Sequence, residues 1–188
     1  RCIQKPYDEN YSEYENELSV RLKHGELLSS DSIHFADSLK FTTPGGKVVY
    51  GGGGIMPDVF VSLDTSGISE YYSSLSSKGL ITEFVYKYVD NNRTTLSKYK
   101  NFDEFNSGFK INENIYNQFI SYAEKSGVKP DAEGMKTSDE IIRTQLKALI
   151  ARQVWKNDGF YPVIQTLDNT LKKALELIDK KQVAIIGS

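Results

Sequence analysis

Four consecutive glycines, Gly51 to Gly54, are the residues of this 188-residue sequence whose spacing most directly suggests chemistry. Bare backbone amides in such a run can surround an anion, as in phosphate-binding loops. Those loops lead into a helix N-terminus and often carry a Lys-Ser/Thr pair, whereas here Ile55-Met56-Pro57 and an apolar run, Val59 to Leu63, follow. The glycines therefore read as a conformational element. They accept positive φ and close backbone approach, and Pro57 fixes the entry to the next run. Asp58, directly after Pro57, reads as a turn-capping carboxylate rather than a catalytic one.

The remaining candidates are sparse. His24 and His34 are the only histidines, and neither stands in an i, i+4 pair or a familiar ligand pattern, so both read as surface or loop residues. Cys2 is the single cysteine, which rules out a disulfide or a cysteine-based metal cluster within the chain. Serines are abundant, but none lies in a Gly-x-Ser-x-Gly elbow. A Ser-Lys pair would need a desolvated lysine beside a placed serine, and no stretch advertises one. Arg143, Lys147 and Arg152 read as the solvated or interhelix face of a long helix, and Trp155 as a core or interface anchor. No catalytic, cofactor-binding or metal-binding residue is assigned.

The elements that would position these residues divide the chain in two. Asn10 to Lys23 reads as an amphipathic helix with Tyr11, Tyr14, Leu18 and Leu22 on one side and Gly25 as its stop. Leu39 to Thr43 and Lys47 to Tyr50, joined by Pro44-Gly45-Gly46, read as a hairpin. Val59 to Leu63 carries apolar residues on both parities and reads as a strand covered on both faces. Cys2 to Gln4 reads as a short extended segment.

After Asp64 the spacing turns helical. Ser69 caps a first helix that Gly79 interrupts. Leu80, Phe84, Val85 and Tyr88 mark the next, with Asn91-Asn92 as a breaker. A short helix spans Asn101 to Phe105, and Asn112 caps another that ends at Gly127. Val128-Lys129-Pro130-Asp131 opens a polar linker, and Thr137 or Ser138 starts a long helix through Trp155. After Asn157-Asp158-Gly159 a last helix carries Ile164, Leu167, Leu171, Ala174, Leu175 and Ile178. These two are expected to pack as an antiparallel pair. Tyr71, Tyr72, Tyr86, Tyr88, Tyr116 and Tyr122 read as core-packing residues with hydroxyls at the rim. Val183 to Ile186 is short and apolar, a strand, tail or docking segment.

The fold class expected is α+β, predominantly α-helical, with a short β region in the N-terminal third. Residues 1–66 form one part and 67–188 a helical C-terminal domain. Charged residues make up 26 % with a formal net charge of -2, so no nucleic-acid surface is expected. No apolar run approaches the length of a membrane span, and no cofactor is implied. Arg1, followed at once by strand-like residues, looks like a cut through a larger protein.

Two short motifs and the tail carry a resemblance. Arg1-Cys2-Ile3-Gln4 resembles the end of the Tyr-Thr-Pro-Ser-Gly-Arg-x-Ile-Gln segment of the bacterial C-terminal-processing (tail-specific) serine peptidases. Gly54-Ile55-Met56-Pro57-Asp58-Val59 matches the Gly-Ile-x-Pro-Asp-x motif that usually follows it closely. Here roughly fifty residues separate the two, and the Val-Tyr-Gly-Gly-Gly-Gly form is similar to that of envelope proteases of Bacteroides-like bacteria. Leu146 to Arg152 in the helical tail also resembles that subgroup.

What the resemblance implies is largely upstream of this chain. In that family a Ser nucleophile and a Lys base perform acyl transfer and a PDZ domain captures the substrate's C-terminus, and none of these maps onto a residue here. Residues 1–66 would then be a remnant of the protease core bearing an inserted helix and hairpin, and residues 67–188 a capping or assembly domain. The partners implied are the upstream protease core and PDZ domain of the same protein and the parent's peptide substrates, in a periplasmic or cell-envelope setting. An open strand edge invites pairing with a second copy, so a homo-oligomer is included. The competing readings are a helical peptide- or protein-binding module of the envelope and a self-sufficient hydrolase with residues not identified.

Overall fold

The computed structural model describes residue 3 and residues 15–52 and 55–180. Cys2 and Gln4 of the expected Cys2–Gln4 segment, Tyr11, Tyr14, Gly53, Gly54 and the run from Val183 to Ile186 lie outside the described residues. The chain is α+β and predominantly helical, as the sequence predicts. It divides into two compact units, Arg1–Asp64 and Thr65–Ser188.

In the first unit, helix α1 (Glu17–Lys23) buries no residue and ends at His24. Gly25 follows at φ 78°, the left-handed turn that glycine adopts without steric cost. Strands β1 (Lys40–Thr42) and β2 (Val48–Tyr50) pair antiparallel with Lys40 opposite Tyr50 and Phe41 opposite Val49. Phe35 stacks on Tyr50 at 4.3 Å between ring centroids. The hairpin is thus where the Pro-Gly-Gly turn puts it.

The strand expected at Val59 to Leu63 is absent: those residues adopt no regular structure. Ile55, Val59 and Leu63 are exposed by 69 %, 42 % and 47 %. A strand covered on both faces needs a neighbour to take its hydrogen bonds, and the described sheet has two strands only. The Leu63 amide donates to the Leu27 carbonyl at 2.8 Å, which ties the end of this run to the rest of its unit.

Among its described residues the second unit consists of helices and the turns that join them. It contains α2 (Glu70–Ser77), α3 (Leu80–Asn91), α4 (Arg93–Leu96), α5 (Phe102–Gly108), α6 (Glu113–Lys125), α7 (Ala132–Thr137), α8 (Asp139–Ile164) and α9 (Asn169–Asp179). Side-chain caps set several starts. Ser69, Asn101 and Asn112 accept the amides of Tyr72, Glu104 and Ile115, satisfying donors that the first turn would otherwise strand. Gly79 and Gly127 take φ 68° and 83° where α2 gives way to α3 and where α6 ends.

The core lies around the first half of α8. Ile142, Leu146 and Ile150, spaced by four, are fully buried against α3 and α5. Leu75, Phe105 and Phe119 are equally inaccessible. Phe105 anchors an aromatic cluster, stacked on Phe109 at 4.7 Å and tilted against Trp155 at 4.9 Å.

Three helical expectations need correction. The polar linker after Val128 contains α7, which Asp131 caps through the Gly134 amide. The chain turns at Lys156 (φ 55°, ψ -136°), not at Asn157-Asp158-Gly159, and helix resumes from there to Ile164. The reason is packing. Gly159 is buried where a Cβ would lie 2.9 Å from the Ala151 carbonyl oxygen and from Trp155 Cβ, so the two halves of α8 meet at a residue without a side chain. Finally, α9 buries no residue, and Leu175 and Ile178 remain 53 % and 58 % exposed, so the antiparallel pair with α8 does not form a core. That helix is held by its Asp168 cap on the Leu171 amide and by Glu176, which pairs with Lys173 at 2.9 Å and with Lys180. Those two lysines, Lys180 foremost, hold the Glu176 carboxyl down to about 2.

The reversal in α8 generates a paired expectation. Lys156 occupies a backbone region that costs a non-glycine residue about 1–3 kcal/mol, so Lys156→Gly should raise the unfolding free energy. Gly159→Ala should lower it by about 1–3 kcal/mol through overpacking. Urea unfolding of the two variants checks both signs; equal effects would contradict the packing described.

Candidate binding groove

Two features of the helical unit bring polar groups together: a closed knot at the head of α8 and an open groove between α3 and α6. In the knot, the Ser138 side chain is fully buried. Its hydroxyl lies 2.7 Å from the Gly67 carbonyl and 2.8 Å from the Ser69 hydroxyl, and it accepts the Ser69 amide at 3.0 Å. Ser138 therefore stands at the N-cap position of α8 without capping it.

One turn further, Arg143 binds Asp139 at 2.8 Å, the Ile111 carbonyl at 2.7 Å and Glu113 at 2.6 Å. Its guanidinium also sits 4.1 Å from the centroid of the Tyr116 ring. These bonds join α8 to the start of α6 and occupy a donor on each of the three guanidinium nitrogens. Arg143 is thus an interhelix residue, as the sequence suggests. Lys147 is half-buried and donates to the Asn106 carbonyl at 2.7 Å, with burial, then Lys110, lowering its proton affinity. Arg152 is exposed, its guanidinium 5.0 Å from the Phe160 ring.

The tyrosines divide. Tyr72 donates to Gln145 at 3.1 Å, and Tyr86 is exposed. Tyr71 and Tyr116, in contrast, carry their hydroxyls into the interior without a hydrogen-bond partner, so the expectation of rim hydroxyls fails for these two. The cause is that α2 and α6 pack with Tyr71 and Tyr116 facing the core, where ring burial outweighs an unmet hydroxyl. Burial pushes the Tyr116 phenol up to about 12, with Asp139 adding to the effect and Arg143 opposing it.

The groove is a cleft of about 550 Å³, within the range of ligand pockets. α3 contributes Phe84, Lys87, Tyr88 and Asn91, with Asn92 just beyond; α6 contributes Asn114, Asn117, Gln118, Ser121, Tyr122 and Lys125. Those positions recur at three and four residues, so each set occupies one helix face. Phe84 forms the floor, 5.3 Å from Phe119 and 5.8 Å from Tyr122. Lys87 donates to the Tyr122 hydroxyl at 3.1 Å and that hydroxyl donates to Glu83 at 2.6 Å, which fixes the Tyr122 ring across the two helices. The lining contains carboxamides, hydroxyls, aromatic rings and two lysines, and no carboxylate. Such a wall can exchange hydrogen bonds with a neutral polar chain and attract negative charge.

The residues singled out by sequence lie elsewhere. Gly51 donates its amide to the Leu39 carbonyl at 2.9 Å, and Gly52 takes φ 75°, so this end of the glycine run continues the hairpin instead of facing an anion. Asp58 pairs with Lys47 across the first unit and does not cap a turn. His24 and His34 are exposed. Among the described residues no three His, Cys, Asp or Glu side chains come together to hold a metal, and no helix is long and apolar enough to cross a membrane. The groove escaped sequence reasoning because exposed amides are common on helices. Its one available signal was the run Asn114, Asn117, Gln118, Ser121 and Lys125 at helical spacing on the face beside the core stripe.

The fold and groove thus define a mostly helical α+β chain with an open polar cleft. A family model, described as a family of unknown function (DUF8443), matches residues 71–157. Fewer than half of the residues are covered; they run from Tyr71 in α2 to Asn157 in α8 and include both walls of the groove. Comparison with curated proteins gave no match. Comparison with solved structures gave none either.

The knot yields two expectations. Arg143→Lys should destabilise by about 1–3 kcal/mol, because a point charge cannot replace a planar fork that reaches three groups; an unchanged unfolding midpoint would contradict that role. Tyr116→Phe should cost less than about 1 kcal/mol at neutral pH, since no hydrogen bond is lost. The folded phenol keeps its proton above the ordinary value of 10. Stability is therefore whole below that pH and falls as pH rises from 10 towards about 12. Tyr116→Phe should lessen that alkaline fall, as measured by unfolding at a series of pH values.

Proposed function

We propose that the chain is the C-terminal, non-catalytic region of a bacterial serine-type carboxyl-terminal-processing endopeptidase of the cell envelope. The helical unit would act as a capping or assembly domain, and residues 1–66 would complete the protease core. The observation that carries this reading is the apolar run Ile55 to Leu63. It is strand-like in composition, exposed at Ile55, Val59 and Leu63, and without a strand beside it among the described residues. That is the condition of a segment whose hydrogen-bonding neighbours belong to another part of the protein. Its first residues are those that match the Gly-Ile-x-Pro-Asp-x motif, and the Arg1–Gln4 segment precedes them in the order that family has. The Ser/Lys dyad and the PDZ domain would stand upstream.

A second reading, a helical module that binds peptides or proteins of the envelope, is favoured by the groove between α3 and α6. The two readings are compatible, because a capping domain of a peptidase can also hold polypeptide.

Hydrogen exchange tests the first. The amides of Val59 to Ser62 should exchange freely in this chain alone and become protected when the upstream protease region is covalently joined to it. The joined protein should hydrolyse casein and this chain alone should not. Free exchange in both forms, or turnover by this chain, would overturn the reading.

A further inference from the structure

We infer that the groove between α3 and α6 is a binding site for an extended, acidic polypeptide segment; this rests on the reading of the helical unit as a peptide-binding module. Length is the first argument. The α6 wall runs from Asn114 to Lys125, about 16 Å at 1.5 Å per residue, which matches about five residues of extended chain. A linear ligand fits such a trough better than a compact one.

The second argument is the kind of hydrogen bonding on offer. Asn91, Asn114, Asn117 and Gln118 each present a donor pair and an acceptor. A peptide group presents one of each in the same plane, so a carboxamide can satisfy both at once. The third is charge. Lys87 and Lys125 line the groove and no carboxylate does, in a chain whose net charge is -2. Glu83 stands nearby, bound to the Tyr122 hydroxyl, and offsets Lys87 in part; Lys125, exposed in the last turn of α6, keeps the C-terminal end of the groove positive. An acidic segment meets complementary potential there.

Two of the three rings that line the groove, Phe84 and Tyr122, offer no open face to a sugar. A sugar needs an open aromatic face for its C–H surface. Phe84 is buried, and the Lys87 ammonium stands 4.5 Å from the Tyr122 ring centroid, over its face.

Selection of a random short-peptide display library on the full chain tests the assignment. Enriched peptides should be rich in Asp and Glu, and should bind the Lys87→Glu/Lys125→Glu variant about tenfold more weakly, with a slope against salt that flattens. Asn117→Ala/Gln118→Ala should weaken the same peptides several-fold while keeping the salt slope, because it removes backbone pairing and no charge. All four positions are exposed, and circular dichroism should show each variant folded. A selection without acid-rich consensus would overturn the proposal. Acid-rich peptides indifferent to both variants would overturn the site and leave the module reading standing. Lysine-dependent capture of immobilised oligosaccharides instead of peptides would overturn the ligand class. The peptidase reading is judged separately, by exchange at Val59 to Ser62.

Discussion

The helical unit depends on sealing one face of α8 from water. Ile142, Leu146 and Ile150 lie along one stripe of a single helix, each worth about 1.5–3 kcal/mol when fully buried. α3 and α5 both pack on α8, and the first is in turn backed by α2 and α6. Both ends of the stripe are then fixed by local chemistry. At the head, Ser138 spends its hydroxyl on Gly67 and Ser69, and Arg143 reaches the start of α6. At the far end, Gly159 lets the chain fold back on Ala151 and Trp155. The remaining helices occupy the positions these constraints leave.

That arrangement explains why the groove is open and the knot closed. Arg143 sits where α6 must be tied to α8, so its donors are used internally and its charge is matched by Asp139 and Glu113. The α3–α6 cleft lies away from that tie. α3 packs on α8 as well as on α6, and α6 buries Ile115, Tyr116, Phe119, Ile120 and Ala123. The Asn, Gln and Lys residues of the adjoining face are left to solvent. Stability and binding capacity therefore reside on different faces of the same helices, so exposed groove residues can change without loosening the core.

Much of the helical unit was legible in the sequence because its signals are local. Ser69, Asn101 and Asn112 cap within three residues of themselves, and Gly79 and Gly127 set their turns by their own φ. Failures came where the deciding partner is distant. The Asp131 cap opens a helix of six residues, too short to show an apolar period. The reversal falls on Lys156, although three better turn formers follow it, because Gly159 is needed where the two helical segments touch. The strand at Val59 to Leu63 had the composition but lacks a neighbour, and composition cannot supply one. The groove was illegible for a different reason: its residues are ordinary surface residues, and only their convergence from two helices separates them from any other polar face.

The last helix shows how far a strong pattern can mislead. α9 has a clean apolar stripe, yet Leu175 and Ile178 face solvent and no residue is buried. Amphipathic spacing states that a helix has a face to hide; it does not name what hides it. With no residue fully buried, an eleven-residue helix leans on its Asp168 cap and on the surface Lys173–Glu176–Lys180 pairs. α9 accordingly has less buried surface to hold it than the first half of α8. In Ile142, Leu146 and Ile150 the same kind of stripe, covered by other helices, is instead what holds the unit together.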